Sequence, residues 1–524
     1  MKRRSTALVV STAICLMPSV LLAAPKAELI LAIGGEPEQG LDPVMGWGEY
    51  GGSPLFHSTL LLRDADFQTV PDLAKSWSRS DDGLSWTVII RDDAKFSDGS
   101  PLTAEDVAFT FTRSALSGGT RDLTVLAGAE ALDNTTVVLR LKEPRVTFLD
   151  SFYNLGIVPA ANYGKGYGSR PIGSGPYKLL SWTPGEQLIA EANPYYYGAE
   201  LEFKRIVFLF TDEDTSMAAA AAGQIDVVAA PAQLAERVPS GMKAVIAESV
   251  DNRGLAFPML PSGGLTEDGN PLGNDITSDP AIRQAINIGI DRNMIVEVAL
   301  MGHGRPAYSS ADGLPWSHAD SSLPDASPDQ ANVILEEAGW EMGTNGIRAK
   351  NGMEARLPIY YPASDSTRQA IAVTLAELLR PLGLAAEPIG KSWDDIRKLM
   401  HSQLIVLGWG SHNPRELYSL YSGTNAGKGW FNTGWYANDK VEAHFAAAEA
   451  SLSLEASFPH WQRAAWDGAT GFSMRGDAAW VWLVNLDHVY FVNECLDVGR
   501  TQIEPHGHGW PITFNIAHWR WVCE

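Results

Sequence analysis

The sequence predicts an α/β protein built from more than one domain. Short runs of strand-like residues alternate with amphipathic helical stretches along nearly the whole chain, and no low-complexity segment or repeat of solenoid period interrupts them. The chain has 524 residues, which is more than one hydrophobic core usually supports. We therefore expect two or three domains.

Five short apolar runs are the clearest predicted strands. Clusters of proline, glycine and aspartate punctuate them, which is typical of the turns between strands. The predicted strands are Ala27–Ile33, Trp86–Ile90, Val137–Leu141, Ile206–Phe210 and Leu404–Leu407. A further stretch, residues 261–280, is rich in Gly, Pro, Asp and Asn, and is predicted to be a surface loop near a crossing between domains.

Three helices begin at residues that can cap exposed backbone amides. Thr103 stands three residues before Asp106, which is the spacing of a capping box. Asp279 and Ser327 are each followed by proline, a residue that is tolerated in the first helical turn because its missing N–H costs nothing there. The third of these helices is expected to end at Gly339.

The first 24 residues have the pattern of a secretory signal peptide. Three basic residues precede an apolar run over Ala7–Leu22, and Ala23 and Ala24 close it. The alternative is a membrane anchor, but the run is shorter than the roughly 20 apolar residues that a span requires, and Pro18 interrupts it. We expect cleavage near residue 24 and export to the periplasm.

The three cysteines are consistent with an exported, unlipidated chain. Cys15 follows Ile14, whereas a lipoprotein signal has a small residue before its cysteine. Cys495 and Cys523 remain after cleavage as an even pair in a compartment that permits oxidation. A disulfide between them is expected, with two free thiols as the alternative.

Charge and motif content argue against nucleic-acid binding and against catalysis. The formal net charge of −22 becomes more negative when the three basic residues of the signal are removed, which disfavours nucleic acid and anionic membrane as partners. The sequence has no HExxH, GxSxG, GxxxxGK[ST] or CxxC motif. His506 and His508 lie two residues apart, but a zinc centre normally takes three protein ligands, so a surface turn is the preferred interpretation. We predict a protein that is not an enzyme.

Several segments, in order along the chain, resemble the peptide- and nickel-binding family of extracellular solute-binding proteins of ABC importers. The similarity covers most of the mature chain, and its densest block lies between residues 70 and 107. The matching segments are Leu41–Pro43, Val70–Trp77, Asp82–Thr87, Arg91–Gly99, Pro101–Val107, Pro171–Tyr177, Asn193–Tyr196, Gly223–Asp226, Ala281–Ile286, Ala338–Trp340 and Asn432–Tyr436.

The resemblance implies a bilobal α/β receptor that closes on a small solute and delivers it to a membrane permease. Its implied domains are lobe I at residues 25–252, with an extra subdomain near 55–170, lobe II at 253–484, and a return to lobe I at 485–524. It also implies a monomer with no catalytic centre and no resident cofactor, in which any metal is transported cargo.

The loop near residue 410 is the main indication of the ligand. Peptide-binding members resemble one another in a W-x-x-D loop whose aspartate pairs with the peptide ammonium, whereas here Trp409 is followed by His412 and Asn413. Without that carboxylate an ammonium loses a charge-assisted hydrogen bond of about 1.5–3 kcal/mol. A histidine suits a transition metal or its chelate. The prediction is therefore nickel or another divalent metal as a small chelate, with a di- or oligopeptide as the alternative.

Four other residues are candidates for the ligand site. The resemblance places Tyr50 in a loop facing the ligand and Arg121 where nickel-binding relatives have an arginine in the cleft. His488 and His57 are candidate metal ligands together with His412, although each of the first two has the alternative interpretation of a buried histidine bonded to backbone. The chain lacks a second arginine near residues 154–158 that nickel receptors have, which leaves the identity of the chelate open.

Overall fold

The computed structural model describes residues 26–37, 40–49, 55–119, 121–507 and 509–523. In the described part of the chain, eleven α-helices and 24 strands are assigned. The helices are α1 Ala104–Ser117, α2 Ser151–Asn154, α3 Glu213–Ala221, α4 Pro280–Gly289, α5 Arg292–Ala299, α6 Pro328–Glu337, α7 Ser366–Leu379, α8 Trp393–Leu399, α9 Arg415–Tyr421, α10 Asp439–Glu449 and α11 Leu454–Ala465.

The strands alternate with these helices along the chain. They are β1 Glu28–Ala32, β2 Leu61–Arg63, β3 Thr69–Pro71, β4 Ala74–Arg79, β5 Ser85–Ile90, β6 Leu126–Ala131, β7 Thr136–Leu141, β8 Tyr177–Thr183, β9 Gln187–Ala192, β10 Arg205–Leu209, β11 Val227–Ala230, β12 Met242–Ala256, β13 Gly264–Leu265, β14 Pro271–Leu272, β15 Gly304–Pro306, β16 Glu341–Met342, β17 Arg348–Lys350, β18 Met353–Glu354, β19 Arg356–Pro362, β20 Ala385–Lys391, β21 Leu404–Trp409, β22 Trp480–Asn493, β23 Leu496–Asp497 and β24 Arg520–Trp521. All five strands expected from the sequence are present, with ends shifted by one or two residues.

All three helices begin where the local signals predict, and the expected capping interaction is formed in two of them. The Thr103–Asp106 capping box is formed, and the Asp279 side chain accepts a 2.9 Å hydrogen bond from the backbone N–H of Ala281. Ser327 makes no such cap; its hydroxyl instead donates to the carbonyl oxygen of Asp325. The predicted loop at 261–280 also contains the short β13–β14 hairpin.

Two long strands join the halves of the molecule. The main sheet has the order β20-β19-β21-β12-β22-β11-β1-β10-β9-β8, and β15 also pairs with β22. The first half of β12 pairs with the second half of β22, and the pairing shifts register between Glu248 and Asn252. Beyond that shift, β12 pairs with β21 as well. Strands β12 and β22 therefore run through both halves of the main sheet, and the lobe boundaries at 252 and 484 stay predictions.

Each lobe has its own buried core, as expected of a bilobal α/β protein. The lobe I core surrounds β1, β9 and β10, and two clusters of lobe II pack on β12, β19, β21 and β22. A separate cluster fills the space between α1 and the four-stranded sheet β4-β5-β7-β6. That cluster is the core of an extra subdomain in lobe I.

The C-terminal segment is tied to lobe I by the expected disulfide. Cys495 and Cys523 are bonded, with their Cα atoms 5.0 Å apart. This bond confirms the disulfide that the sequence predicted. The bridge lies beside the β23–β24 pair. In the described residues no helix is long and apolar enough to cross a membrane.

Candidate ligand-binding site between the lobes

The candidate site is built on the loop that leaves β21 and enters α9. Strands β19 and β21 run parallel, and ligands of such sheets bind outside the carboxyl ends of the strands. The loop passes close to β12 at Gly410, where φ is +149° and an added Cβ would lie 2.5 Å from the carbonyl oxygen of Val250. Only glycine fits this turn, and the turn sets the position of the next residues.

Trp409 is the last residue of β21 and is almost fully buried. It lies opposite Asn252 of β12, and its ring stacks on Phe431 with centroids 5.4 Å apart. Its indole N–H has no hydrogen-bond partner among the described residues. The side chain therefore packs in the core of lobe II, and its unpaired donor is the one polar group that it can offer to a ligand.

His412 is buried and uncharged. Burial is the main reason that its pKa falls to about 3, and repulsion from Arg63 lowers the pKa further, against a hydrogen bond to the backbone of Ile503. Its Nε2 has no hydrogen-bond partner within the described part of the chain. The imidazole therefore keeps a lone pair across the whole physiological pH range.

Asn413 links the two lobes beside His412. Its side chain hydrogen-bonds to Asp150 of lobe I, whose pKa is raised by burial against the effect of Arg63 and this hydrogen bond. Asp150 also accepts a 2.6 Å hydrogen bond from the Asn154 amide. Of the residues predicted from the sequence, His412 and Asn413 are thus brought together at the contact between the lobes.

Glu416 follows in α9 and is the nearest acid to the loop in sequence. It accepts a 3.0 Å hydrogen bond from the backbone N–H of Gly410. Burial raises its pKa to about 8, so the carboxyl group is mostly protonated at neutral pH. Glu416 therefore does not replace the missing ammonium-binding carboxylate.

The Arg121 side chain hydrogen-bonds to two segments of lobe I. Its guanidinium donates to the carbonyl oxygen of Pro43 at 2.9 Å and to the carbonyl and side-chain oxygens of Asn154 at 2.8 and 3.0 Å. Burial lowers its pKa against the nearby charges of Glu49 and Asp150. Three of its five N–H groups are thus committed to Pro43 and Asn154.

His57 lies in the interior of lobe I. Its Nε2 is 2.9 Å from the hydroxyl of Tyr167, and burial lowers its pKa to about 3. Tyr167, the partner of His57, does not contact His412 or Trp409. The sequence predicted His57 as a metal ligand together with His412, but the structure does not place His57 in the pocket that His412 lines.

His488 takes part in a buried ion network at the crossing of β12 and β22. Its Nδ1 is 2.6 Å from a Glu504 oxygen and its Nε2 is 3.0 Å from an Asp251 oxygen. Burial alone would lower its pKa, but the two carboxylates raise it to about 9. The ring is protonated at neutral pH, so in this arrangement neither nitrogen has a lone pair for a metal.

The same network contains Arg253 and His506. Oδ1 of Asp251 is paired with Arg253, and the same oxygen lies 2.5 Å from Nδ1 of His506. Burial would raise the pKa of Asp251, but Arg253 and His506 hold it well below its usual range. We call Asp251, Arg253, His488, Glu504 and His506 the hinge network, because they cluster where both long strands pass between the lobes.

Tyr50, the remaining candidate, lies outside the described residues. Within the described ranges, no group of three or more His, Cys, Asp or Glu side chains is arranged to hold a metal ion.

A second set of contacts crosses between the lobes and was not foreseen from the sequence. Arg415 of α9 bonds Asp122 of lobe I at 2.6 Å and Glu449 of lobe II at 2.6 Å. Glu449 in turn accepts a 2.7 Å hydrogen bond from the hydroxyl of Thr147 in lobe I. Arg79 of lobe I donates to backbone carbonyls at residues 451 and 452. These side chains, here called the interlobe latch, hold the lobes in contact.

The fold and this cleft define a two-lobed receptor for a small solute. A family model described as bacterial extracellular solute-binding proteins, family 5 matches residues 68–430. The chain belongs to this family, whose members are transport receptors and not enzymes.

Three similar proteins illustrate the range of the family. Protein XP55 of Streptomyces lividans is 32% identical over 498 residues, which cover 91% of this chain and 87% of that protein. The oligopeptide-binding protein AppA of Bacillus subtilis is 28% identical, covering 84% of this chain and 87% of the relative. The structure of NikZ from Campylobacter jejuni in complex with Ni(L-His) has a TM-score of 0.82 at 23% identity, covering 95% of this chain and 100% of the other. At that identity, the NikZ match supports the bilobal fold and no more.

Proposed function

We propose that the chain captures nickel or another divalent metal in the periplasm as a small chelate and delivers it to the membrane permease of an ABC importer. The observation that carries the proposal is His412, a neutral imidazole with an unpartnered Nε2 at the contact between the lobes. A deprotonated nitrogen is what a transition metal requires of histidine. The Ni(L-His) complex of NikZ, a protein of the same fold, is consistent with such cargo.

A single protein donor suits a metal that already carries its own ligands. The chelator fills most coordination positions, and one imidazole completes the shell and distinguishes the loaded chelator from the empty one. A hydrogen bond from the other ring nitrogen to the backbone fixes the orientation of such an imidazole. The contact of His412 with Ile503 supplies that constraint.

A di- or oligopeptide is the second candidate, and Asp150 is the observation that favours it. Its carboxyl group lines the same small pocket as His412, from the opposite lobe. AppA, one of the relatives, is named as an oligopeptide-binding protein. Against this candidate, Asp150 already accepts hydrogen bonds from two asparagine side chains.

The discriminating experiment is calorimetry on purified, metal-stripped protein. We expect heat of binding with nickel plus free histidine and negligible heat with dipeptides. Binding of dipeptides with no response to any nickel complex would reject the metal proposal in favour of the peptide.

Replacing His412 by alanine is expected to weaken binding of the nickel–histidine complex at least tenfold, about 1.4 kcal/mol. The reason is the loss of one metal–nitrogen bond in a site that is otherwise unchanged. Calorimetry at pH 7 measures the effect, with the exposed His518→Ala variant as the control for metal binding at surface imidazoles. Equal affinity of His412→Ala and wild type would remove His412 from the site.

The ratio of the wild-type affinity to the His412→Ala affinity for the nickel–histidine complex, measured as a function of pH, tests the same contact. Protonation of His412 removes the lone pair that would bind the metal, but burial lowers the pKa of His412 to about 3. The ratio should therefore stay constant from pH 7 down to about 5 and fall only as the pH approaches 3. This corrects the expectation from an unperturbed histidine, for which the loss would come near pH 6.5.

A further inference from the structure

The β2–β3 hairpin of lobe I ends in a rigid turn that points at lobe II. Asp64 accepts hydrogen bonds through Oδ1 from the backbone N–H groups of Asp66 and Gln68, at 2.9 and 2.8 Å. Phe67 is held between them with φ at +64°, a left-handed conformation that is uncommon for a bulky residue and often marks a functional constraint. The turn thus fixes the direction of the Phe67 ring.

The Phe67 ring lies between Arg63 and His412. It meets the imidazole edge-on, with centroids 4.5 Å apart, and so forms a contact between the lobes. Its other neighbour is the Arg63 guanidinium, whose central carbon is 4.2 Å from the ring centroid. A hairpin of lobe I therefore carries a cation to within one ring of the proposed donor in lobe II.

Arg63 is held in place by two aromatic rings and not by an acid. Its guanidinium carbon is also 4.3 Å from the ring of Tyr153, whose hydroxyl is anchored 2.7 Å from that of Thr69. Within the described part of the chain, the Arg63 side chain has neither a hydrogen bond nor an ion pair. Stacking occupies the faces of the guanidinium and leaves its N–H edge available.

The pocket beside Arg63 is shared by both lobes. Arg63, Thr147, Asp150 and Tyr153 line it from lobe I, and His412 and Asn413 are among the residues that line it from lobe II. Asp150 lines the same pocket and is influenced by the charge of Arg63, but it accepts hydrogen bonds from Asn154 and Asn413. The donors of Arg63 are therefore not consumed by a direct salt bridge.

We propose that Arg63 binds a carboxylate of the solute and that this subsite, completed by His412 when the lobes meet, selects solutes that carry one. A guanidinium with its edge exposed matches the two oxygens of a carboxylate. With the imidazole lone pair close by, the pair suits a metal held by an amino-acid-like chelator: the metal meets His412 and a chelator carboxylate meets Arg63. The inference rests on the proposed function in taking this contact between the lobes as the solute cleft.

The test compares Arg63→Gln with wild type on two nickel complexes, that of histidine and that of histamine, which lacks the carboxylate. We expect Arg63→Gln to weaken the histidine complex about tenfold or more, the loss of a charge-assisted hydrogen bond, and to leave the histamine complex unchanged. Arg63→Lys, which keeps the charge, should recover part of the loss. Arg397→Gln is the matched control, because Arg397 also stacks on an aromatic ring, Trp430, but is exposed on lobe II.

The outcomes separate this inference from the proposed function. Equal losses for both complexes would mean that Arg63 only supports the hairpin, and no loss would mean that it does not touch solute; either result overturns the inference and leaves the metal proposal standing. If wild type binds no nickel complex but binds a dipeptide, the metal proposal fails. The affinities of wild type and Arg63→Gln for that dipeptide and for its C-terminal amide then decide the inference. The inference requires that Arg63→Gln loses affinity for the free acid and keeps its affinity for the amide. Failure of every one of these carboxylates to bind would overturn it as well.

Discussion

Replacing Asp251 by asparagine is expected to destabilise the folded protein by about 3–5 kcal/mol, the usual cost of removing one partner from a buried ion pair. The Asp251 side chain is 3% exposed and contacts Arg253, His488 and His506, which are themselves at most 13% exposed. Without the carboxylate, Arg253 and the protonated His488 remain buried with Glu504 as the only acid of the hinge network. The measurement is urea unfolding at pH 7, read as a shift of the midpoint at constant slope.

Asp92→Asn is the matched control for Asp251→Asn. Asp92 is likewise an aspartate in an ion pair, here with Lys75 alone, but both side chains are more than half exposed. Exposed pairs contribute little to stability, so the control should unfold nearly as wild type does. A loss below about 1 kcal/mol for Asp251→Asn would show that the buried cations find other partners or lose their protons.

Replacing Arg415 by methionine is expected to weaken solute binding about 30-fold, which corresponds to about 2 kcal/mol. Arg415 joins Asp122 across the cleft, and Asp122 is 42% exposed, so its contribution is less than that of a fully buried pair. Without this ion pair the closed form of the free protein is less populated. The apparent affinity for the solute falls by the same factor as that population. Calorimetry with nickel plus histidine measures the change.

Two comparisons isolate the latch from other effects of the Arg415 substitution. Arg380→Met removes an exposed pair with Glu377 within one helix and should leave binding unchanged. A double-mutant cycle with Asp122→Asn reports the coupling between the lobes directly. A coupling energy near zero, with unchanged affinity in Arg415→Met, would mean that the latch does not contribute to closure.

Local signals in the sequence were sufficient for most of the framework. Strand runs, the Asp279 cap and the cysteine pair depend on neighbours along the chain or on the oxidising compartment, so they could be predicted without knowledge of the fold. Ser327 precedes α6 as expected but makes no side-chain cap, and its hydroxyl donates to the carbonyl oxygen of Asp325. The resemblance to the family gave the bilobal arrangement, which periodicity alone does not reveal.

The site was predicted only in part because its charges are paired over long separations. His506 meets Asp251 255 positions away, and Arg415 meets Asp122 across 293 positions. The prediction of His488 as a metal ligand therefore missed the two carboxylates that stabilise its protonated form. Arg63 gave no signal of its own, since an arginine that stacks on rings and one that pairs with an acid look the same in sequence.

The position of β22 also determines which part of the chain is needed to complete the main sheet. This strand lies between β11 and β12 in the main sheet and comes from residues 480–493, close to the end of the chain. Without β22, β11 keeps only β1 as a neighbour and β12 keeps only β21, so the main sheet is divided into two parts. A chain that stops before residue 480 therefore cannot join the two halves of the sheet, and such a fragment is not a smaller receptor.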